Sequence, residues 1–297
     1  MLPDPSSAPD SAAAPAPKSA AEHHRPGVDH YENFPVASVL CPPYLRPPIA
    51  AIYAFARTAD DLADEGDVAP QRRLADLAAF RSDLEAIVAG RKPSARWATT
   101  FTALASAVLR YQLPVNLLRD LLSAFEQDVV KNRYADEVEL QDYCRRSANP
   151  VGRLLLHLYG VNDAMALQQS DAICTALQLI NFWQDLSVDI PRGRIYLPAD
   201  AMRANRVSEA QLMAPTTHAN TLVLIAKQAA NARAKMVFGS KLVRKVPGRG
   251  GWELRFVIQG GLRILDKIEA LGFDTLKQRP TIRKWDVVVM AWRSLWM

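Results

Sequence analysis

Four carboxylates stand within six residues at Asp60, Asp61, Asp64 and Glu65. Asp60 and Asp64 are spaced i, i+4, which on a helix sets both on one face, about 5–6 Å apart at Cβ. Arg57 falls one turn before Asp61 and can pair with it. A second polar series, Gln178, Asn181, Asp185 and Asp189, runs along a segment that is otherwise apolar at Ile173, Leu177, Ile180, Phe182 and Leu186. Polar groups on an apolar helix need partners. Both series offer oxygen ligands, with no His or Cys among them, which suits hard Mg2+ rather than zinc. Mg2+ keeps several waters, takes one or two carboxylates and completes its shell with substrate phosphate. Two facing helices of this kind predict a diphosphate substrate, and the apolar residues beside them predict a greasy tail on it. A solvated helix end would account for the first series alone; it does not account for the pair.

Helices must carry these side chains, and the chain is patterned for helices. Eleven of its 20 prolines lie before residue 49, and the rest of the chain is Pro-poor and free to be helical. Apolar periodicity predicts helices from Pro48 onward and over 71–89, 95–111, 114–130, 136–146, 150–160, 163–189, 208–213, 218–245, 252–271 and 281–296. Alternating β-branched runs with hairpin turns are nearly absent. The expectation is an all-α fold, one domain over 29–297, behind a Pro- and Ala-rich tail over 1–28 that cannot bury a core. His23 and His24 in that tail are read as incidental. The glycines at 248, 250 and 251 lack a preceding strand, so they read as a helix–helix turn and not a dinucleotide loop. With no nucleotide unit, a reductase step using NADPH is not expected.

The 297 residues are 49% hydrophobic and 23% charged, an ordinary globular balance. Three cysteines, Cys41, Cys144 and Cys174, form no CxxC pair. That excludes a disulfide framework and a thiolate zinc site, and it fits a reducing cytoplasm. No run reaches the roughly 18 apolar residues of a membrane span, and no signal peptide is visible. From Lys227 onward 15 basic residues face 5 acidic ones, within a net charge of +5. Such a basic quarter suits an anionic surface or a solvated face. Nucleic acid is not expected, since the cations are not interleaved with aromatics on a sheet.

The two acidic series resemble the paired DxxxD motifs of the squalene/phytoene synthase family, in which two prenyl diphosphates are joined head to head. The resemblance extends through IYAFAR at 52–57, Tyr143-Cys144 with Gly152, Asn181, GRIYLP at 193–198 and RILDKIE at 263–269. It covers roughly residues 30–285. Stretches at 32–38, 59–65, 146–152 and 181–189 look most like the family branch that makes hydroxysqualene for hopanoids. The resemblance implies an isoprenoid-synthase-type helical bundle with a central cavity. It implies Mg2+ on Asp60, Asp64, Asn181, Asp185 and Asp189, with phosphate contacts from Arg57, Gln178 and Arg194 and further substrate contacts from Tyr53 and Tyr196. Tyr143 would lie near the reacting carbons, able to stabilise a cation or move a proton. The implied substrate is presqualene diphosphate or another prenyl diphosphate, and other enzymes of hopanoid synthesis are implied partners.

The chain also departs from the family pattern. It has His30-Tyr-Glu-Asn-Phe34 where many relatives carry His-Ser-x-Ser-Phe, Gln184 where many carry Arg, and Gly261 where several carry an aromatic ring. These changes argue against ordinary squalene or phytoene synthesis. Head-to-head condensation stays open, as does a non-catalytic relative of the assembly-factor type, although a scaffold would not need the acidic motifs. Trp285, Trp292 and Trp296 fall near one face of the last helix, flanked by Arg283, Lys284 and Arg293. They either pack that helix onto the core or touch the bilayer that an apolar substrate requires. A cytoplasmic protein, peripheral on the inner membrane face, is the corresponding expectation.

Overall fold

Two prolines at the head of an apolar segment open the first helix. Pro47 and Pro48 occupy positions whose N–H groups would have no partner, so the helix starts there at little cost. The computed structural model describes residues 41–297, and in it this helix is α1, Arg46–Asp64. The expected tail over 1–28, the domain start at residue 29 and the departure at 30–34 lie outside the described residues. After α1 come α2 (Pro70–Val88), α3 (Ala98–Tyr111), α4 (Val115–Val130), α5 (Glu137–Ser147), α6 (Asn149–Leu158) and α7 (Ala164–Gln184). The chain continues through α8 (Leu186–Asp189), α9 (Ala199–Ala204), α10 (Glu209–Leu212), α11 (Ala219–Gly239), α12 (Gly248–Ala270) and α13 (Lys284–Leu295). Among the described residues no strand forms, and one isolated parallel bridge joins Arg133 to Ile195. The fold is all-α, as expected.

Besides α9, which periodicity did not predict, three segments differ from the sequence expectation. The helix expected over 163–189 breaks at Asp185, whose φ of −102° and ψ of 14° separate α7 from α8. The glycines at 248–251 form the first turn of α12 rather than a turn between helices, and Gly250 and Gly251 are buried there. The expected helix over 218–245 is α-helical to Gly239 and then tightens into a 3-10 turn over Ser240–Arg244.

Two apolar clusters fill the bundle. One gathers α1 to α4 with part of α6, and Phe80 lies at its centre, 5.3 Å from the Phe55 ring and 4.6 Å from Phe101. The other surrounds α7, which packs on α5, α6, α11 and α12 and buries Ile173, Leu179, Phe182 and Trp183. α11 comes so near α7 that a Cβ at Gly239 would lie 2.7 Å from the Gln169 carbonyl oxygen. The α1 acids thus hang from one cluster and the α7–α8 series from the other. No helix among the described residues is long and apolar enough to cross a membrane.

Candidate active site

α1 buries Ile52, Phe55, Ala59 and Ala63, a stripe at intervals of three and four. On one side away from that stripe fall Tyr53, Arg57, Asp60 and Asp64. Arg57 reaches Asp60 at 3.4 Å and both Asp61 and Glu65 at 2.9 Å, so the expected pairing with Asp61 is present. Arg194, from the segment after α8, pairs with Asp64. The last turn of α1 holds no cation of its own, so these acids crowd the negative end of a helix dipole. Burial pushes the Asp60 carboxyl up to about 6, against the pull of Arg57.

The second series repeats this arrangement. Asp185 is the C-terminal cap of α7 and Asp189 ends α8. Burial, with the charge of Asp185 beside it, pushes Asp189 up to about 7. Asp185 is only 1% exposed. Its carboxylate accepts from Arg279 Nε at 2.6 Å and Nη2 at 3.2 Å, and from Asn181 Nδ2 at 3.3 Å. The segment bearing Arg279 is pinned at two points: Gln184 donates to the Pro280 carbonyl at 2.7 Å, and Ser187 N–H donates to the Thr275 carbonyl at 3.1 Å. Gln184, where the resemblance implied an arginine, thereby fixes the segment that brings Arg279 to Asp185. Gln178 lies buried one turn before Asn181. Gly261, the other departure, leaves no room for a ring, since a Cβ there would lie 2.7 Å from Met236 Cε and 3.1 Å from Leu177.

Beneath the acids lies an aromatic floor. Tyr196 stacks on Phe182 at 3.8 Å with 7° between the planes, and Tyr143 lies 6.2 Å from Phe182. Burial holds both phenols well above their usual range. Tyr143 donates to Asp128 Oδ2 at 2.9 Å. The other oxygen, Asp128 Oδ1, is buried and has no hydrogen-bond partner. Burial pushes this carboxyl up to about 7 although the Tyr143 bond pulls it down, and it feels Arg194, Asp60 and Asp64 nearby.

Arg194 is the pivot. It pairs with Asp64 and acts on Asp128 and Asp189, so the two acidic series belong to one site. Asp128 and Arg279 are site residues that sequence patterning did not single out. Tyr53 stands half-exposed on the Arg57 side of α1. Among the described residues no three acids converge tightly enough to hold a metal by themselves. The donors still suit Mg2+: they are all oxygen, they sit at two dipole-negative helix ends, and a cation already occupies Asp60, Asp64 and Asp185. One or two carboxylates per ion, completed by water and phosphate, is the shell Mg2+ prefers.

Known proteins resemble this chain in sequence and in fold. The family model described as squalene/phytoene synthase matches residues 28–286. Hydroxysqualene synthase of Sinorhizobium fredii is 36% identical over 254 residues, 85% of this chain and 82% of the relative. The 15-cis-phytoene synthase of Synechococcus elongatus is 27% identical over 266 residues, 86% of this chain and 85% of the relative. The crystal structure of squalene synthase HpnC from Alicyclobacillus acidocaldarius superposes with a TM-score of 0.75 at 35% identity, covering 82% of this chain and 90% of that one.

Proposed function

We propose that this chain, which belongs to the squalene/phytoene synthase family and is an enzyme of prenyl diphosphate metabolism, converts presqualene diphosphate and water to hydroxysqualene and diphosphate. The observation that carries the proposal is the Arg194 pivot, which ties both acidic series to one site above an aromatic floor. Arg57, Arg194 and Gln178 bind the diphosphate, with Tyr53 and Tyr196 alongside. Asp60, Asp64, Asn181, Asp185 and Asp189 would hold Mg2+. When bound, the metal neutralises charge on the departing diphosphate.

Departure of diphosphate leaves a cyclopropylcarbinyl cation. The faces of Tyr196 and Phe182 and the oxygen of Tyr143 stabilise it while it rearranges. One water then adds at carbon, and the proton it sheds passes to Asp128, directly or through Tyr143. The apolar walls keep other water out, so they decide the product. Substrate and product are too apolar to cross water, so peripheral contact with a bilayer and with other enzymes of hopanoid synthesis belongs to the same proposal.

The test is to incubate purified protein with Mg2+ and either presqualene diphosphate or farnesyl diphosphate, and to identify the lipid formed. Hydroxysqualene from presqualene diphosphate, without reduced nicotinamide, is expected. Squalene formed only with NADPH, or a condensation product alone, would overturn the proposal.

A further inference from the structure

A surface helix ordinarily turns its apolar stripe inward and its polar residues to water. α13 is mounted the other way round. Its buried residues are Asp286, Met290 and Ser294, one turn apart. Asp286 accepts from Arg263 Nε and the Arg283 N–H at 2.7 Å, and Lys267 Nζ also lies 2.7 Å away. The opposite side is Trp285, Val288, Trp292, Leu295 and Trp296, with the three tryptophans 76%, 62% and 76% exposed. Core packing, one of the two expectations for these rings, is therefore wrong: the polar side of the helix makes the contact.

α12 packs against α13 and extends the face. Trp252 and Phe256 are exposed there, and the Arg255 guanidinium lies 4.7 Å from the Trp252 ring centre while donating to the Ser294 carbonyl at 3.3 Å. Three of the chain's six tryptophans thus lie on these two helices, and a fourth, Trp296, caps α13. Arg249, Arg283, Lys284 and Arg293 are exposed around them, and the one carboxylate of α13, Asp286, is buried beneath.

We infer that the outward side of α12 and α13 docks on an anionic phospholipid bilayer. Tryptophan, amphipathic and planar, favours the headgroup level, and Lys and Arg favour lipid phosphate. A protein partner would need its own apolar patch ringed by carboxylates, whereas a bilayer offers apolar depth and negative charge everywhere. The benefit of docking rests on the proposed substrate; the surface itself does not. The face begins five residues after Arg279, so the segment that grips Asp185 leads straight into the docked helix.

The test is co-sedimentation of the full chain with vesicles of phosphatidylglycerol and phosphatidylcholine, and with phosphatidylcholine alone. Two variants accompany it, Trp285→Ser/Trp292→Ser/Trp296→Ser and Lys284→Glu. The wild type is expected to bind the anionic vesicles, more weakly in high salt. The triple variant should lose about tenfold or more in binding. Its helical circular dichroism and its turnover of detergent-dispersed substrate should be unchanged, which separates this inference from the catalytic one. Lys284→Glu should weaken anionic binding alone. Equal sedimentation of wild type and triple variant overturns the inference. So does a wild type that ignores vesicles but is dimeric by light scattering and becomes monomeric in the triple variant, because the face then serves a second copy.

Discussion

Asp128→Asn tests the electrostatics of the site without touching a proposed metal ligand. Asn keeps an oxygen for the Tyr143 hydroxyl and removes the charge. The carboxyl is raised from 3.8 to about 7, so the native state holds its proton more tightly than the unfolded chain does. That advantage is fully present below pH 3.8 and lost as pH rises through about 7. Asn resembles the protonated form at every pH. A rise of roughly three units at 1.36 kcal/mol each sets an upper bound of about 4 kcal/mol, and relaxation reduces this to about 2–3 kcal/mol. The variant should therefore match the wild type only below pH 3.8 and exceed it near about pH 8.5, where its melting temperature should be higher by about 5 °C or more. Differential scanning calorimetry at both pH values, without divalent metal, is the measurement. A variant equally destabilised at both would refute the argument, because Arg194 would then be stabilising an ionised Asp128.

Asp60→Asn should abolish turnover with Mg2+ while leaving the melting temperature unchanged or slightly higher, since burial already works against this carboxylate; excess chelator should abolish wild-type turnover equally, and full activity with chelator would exclude a metal role. Arg279→Gln strips the buried Asp185 of its cation and should cost about 3 kcal/mol in urea unfolding. Mg2+ should restore part of that loss, and an unchanged urea midpoint would show the pair to be inert.

The acidic series were legible because repeats of four on a helical pattern put side chains on one face whatever the tertiary structure. Arg57, Asp60 and Asp64 needed nothing more. Asp128 was not legible, because one of three acids on the amphipathic α4 looks like any solvated residue until Tyr143 is packed against it. Arg279 lies in the irregular segment between α12 and α13, where no periodicity exists to place it. The break at Asp185 was hidden for the opposite reason: the polar spacing continues through it to Asp189. The six residues of α9 carry too short a pattern to separate from a loop. The tryptophan stripe was visible as a stripe, but which side of α13 faces the protein depended on the cations that bury Asp286.

The division of the core into two clusters bears on how the protein assembles. α1 to α4 are consecutive in the chain and pack mainly on one another, so their contacts close short loops. They can form a cooperative unit before α7 and α11 meet, as native-state hydrogen exchange would reveal. A ribosome would release that unit with Asp60 and Asp64 in place but with no Asp185 or Arg194 to answer them. Competence then arrives only with the last helices. A ligand that touches both clusters should slow exchange in both together.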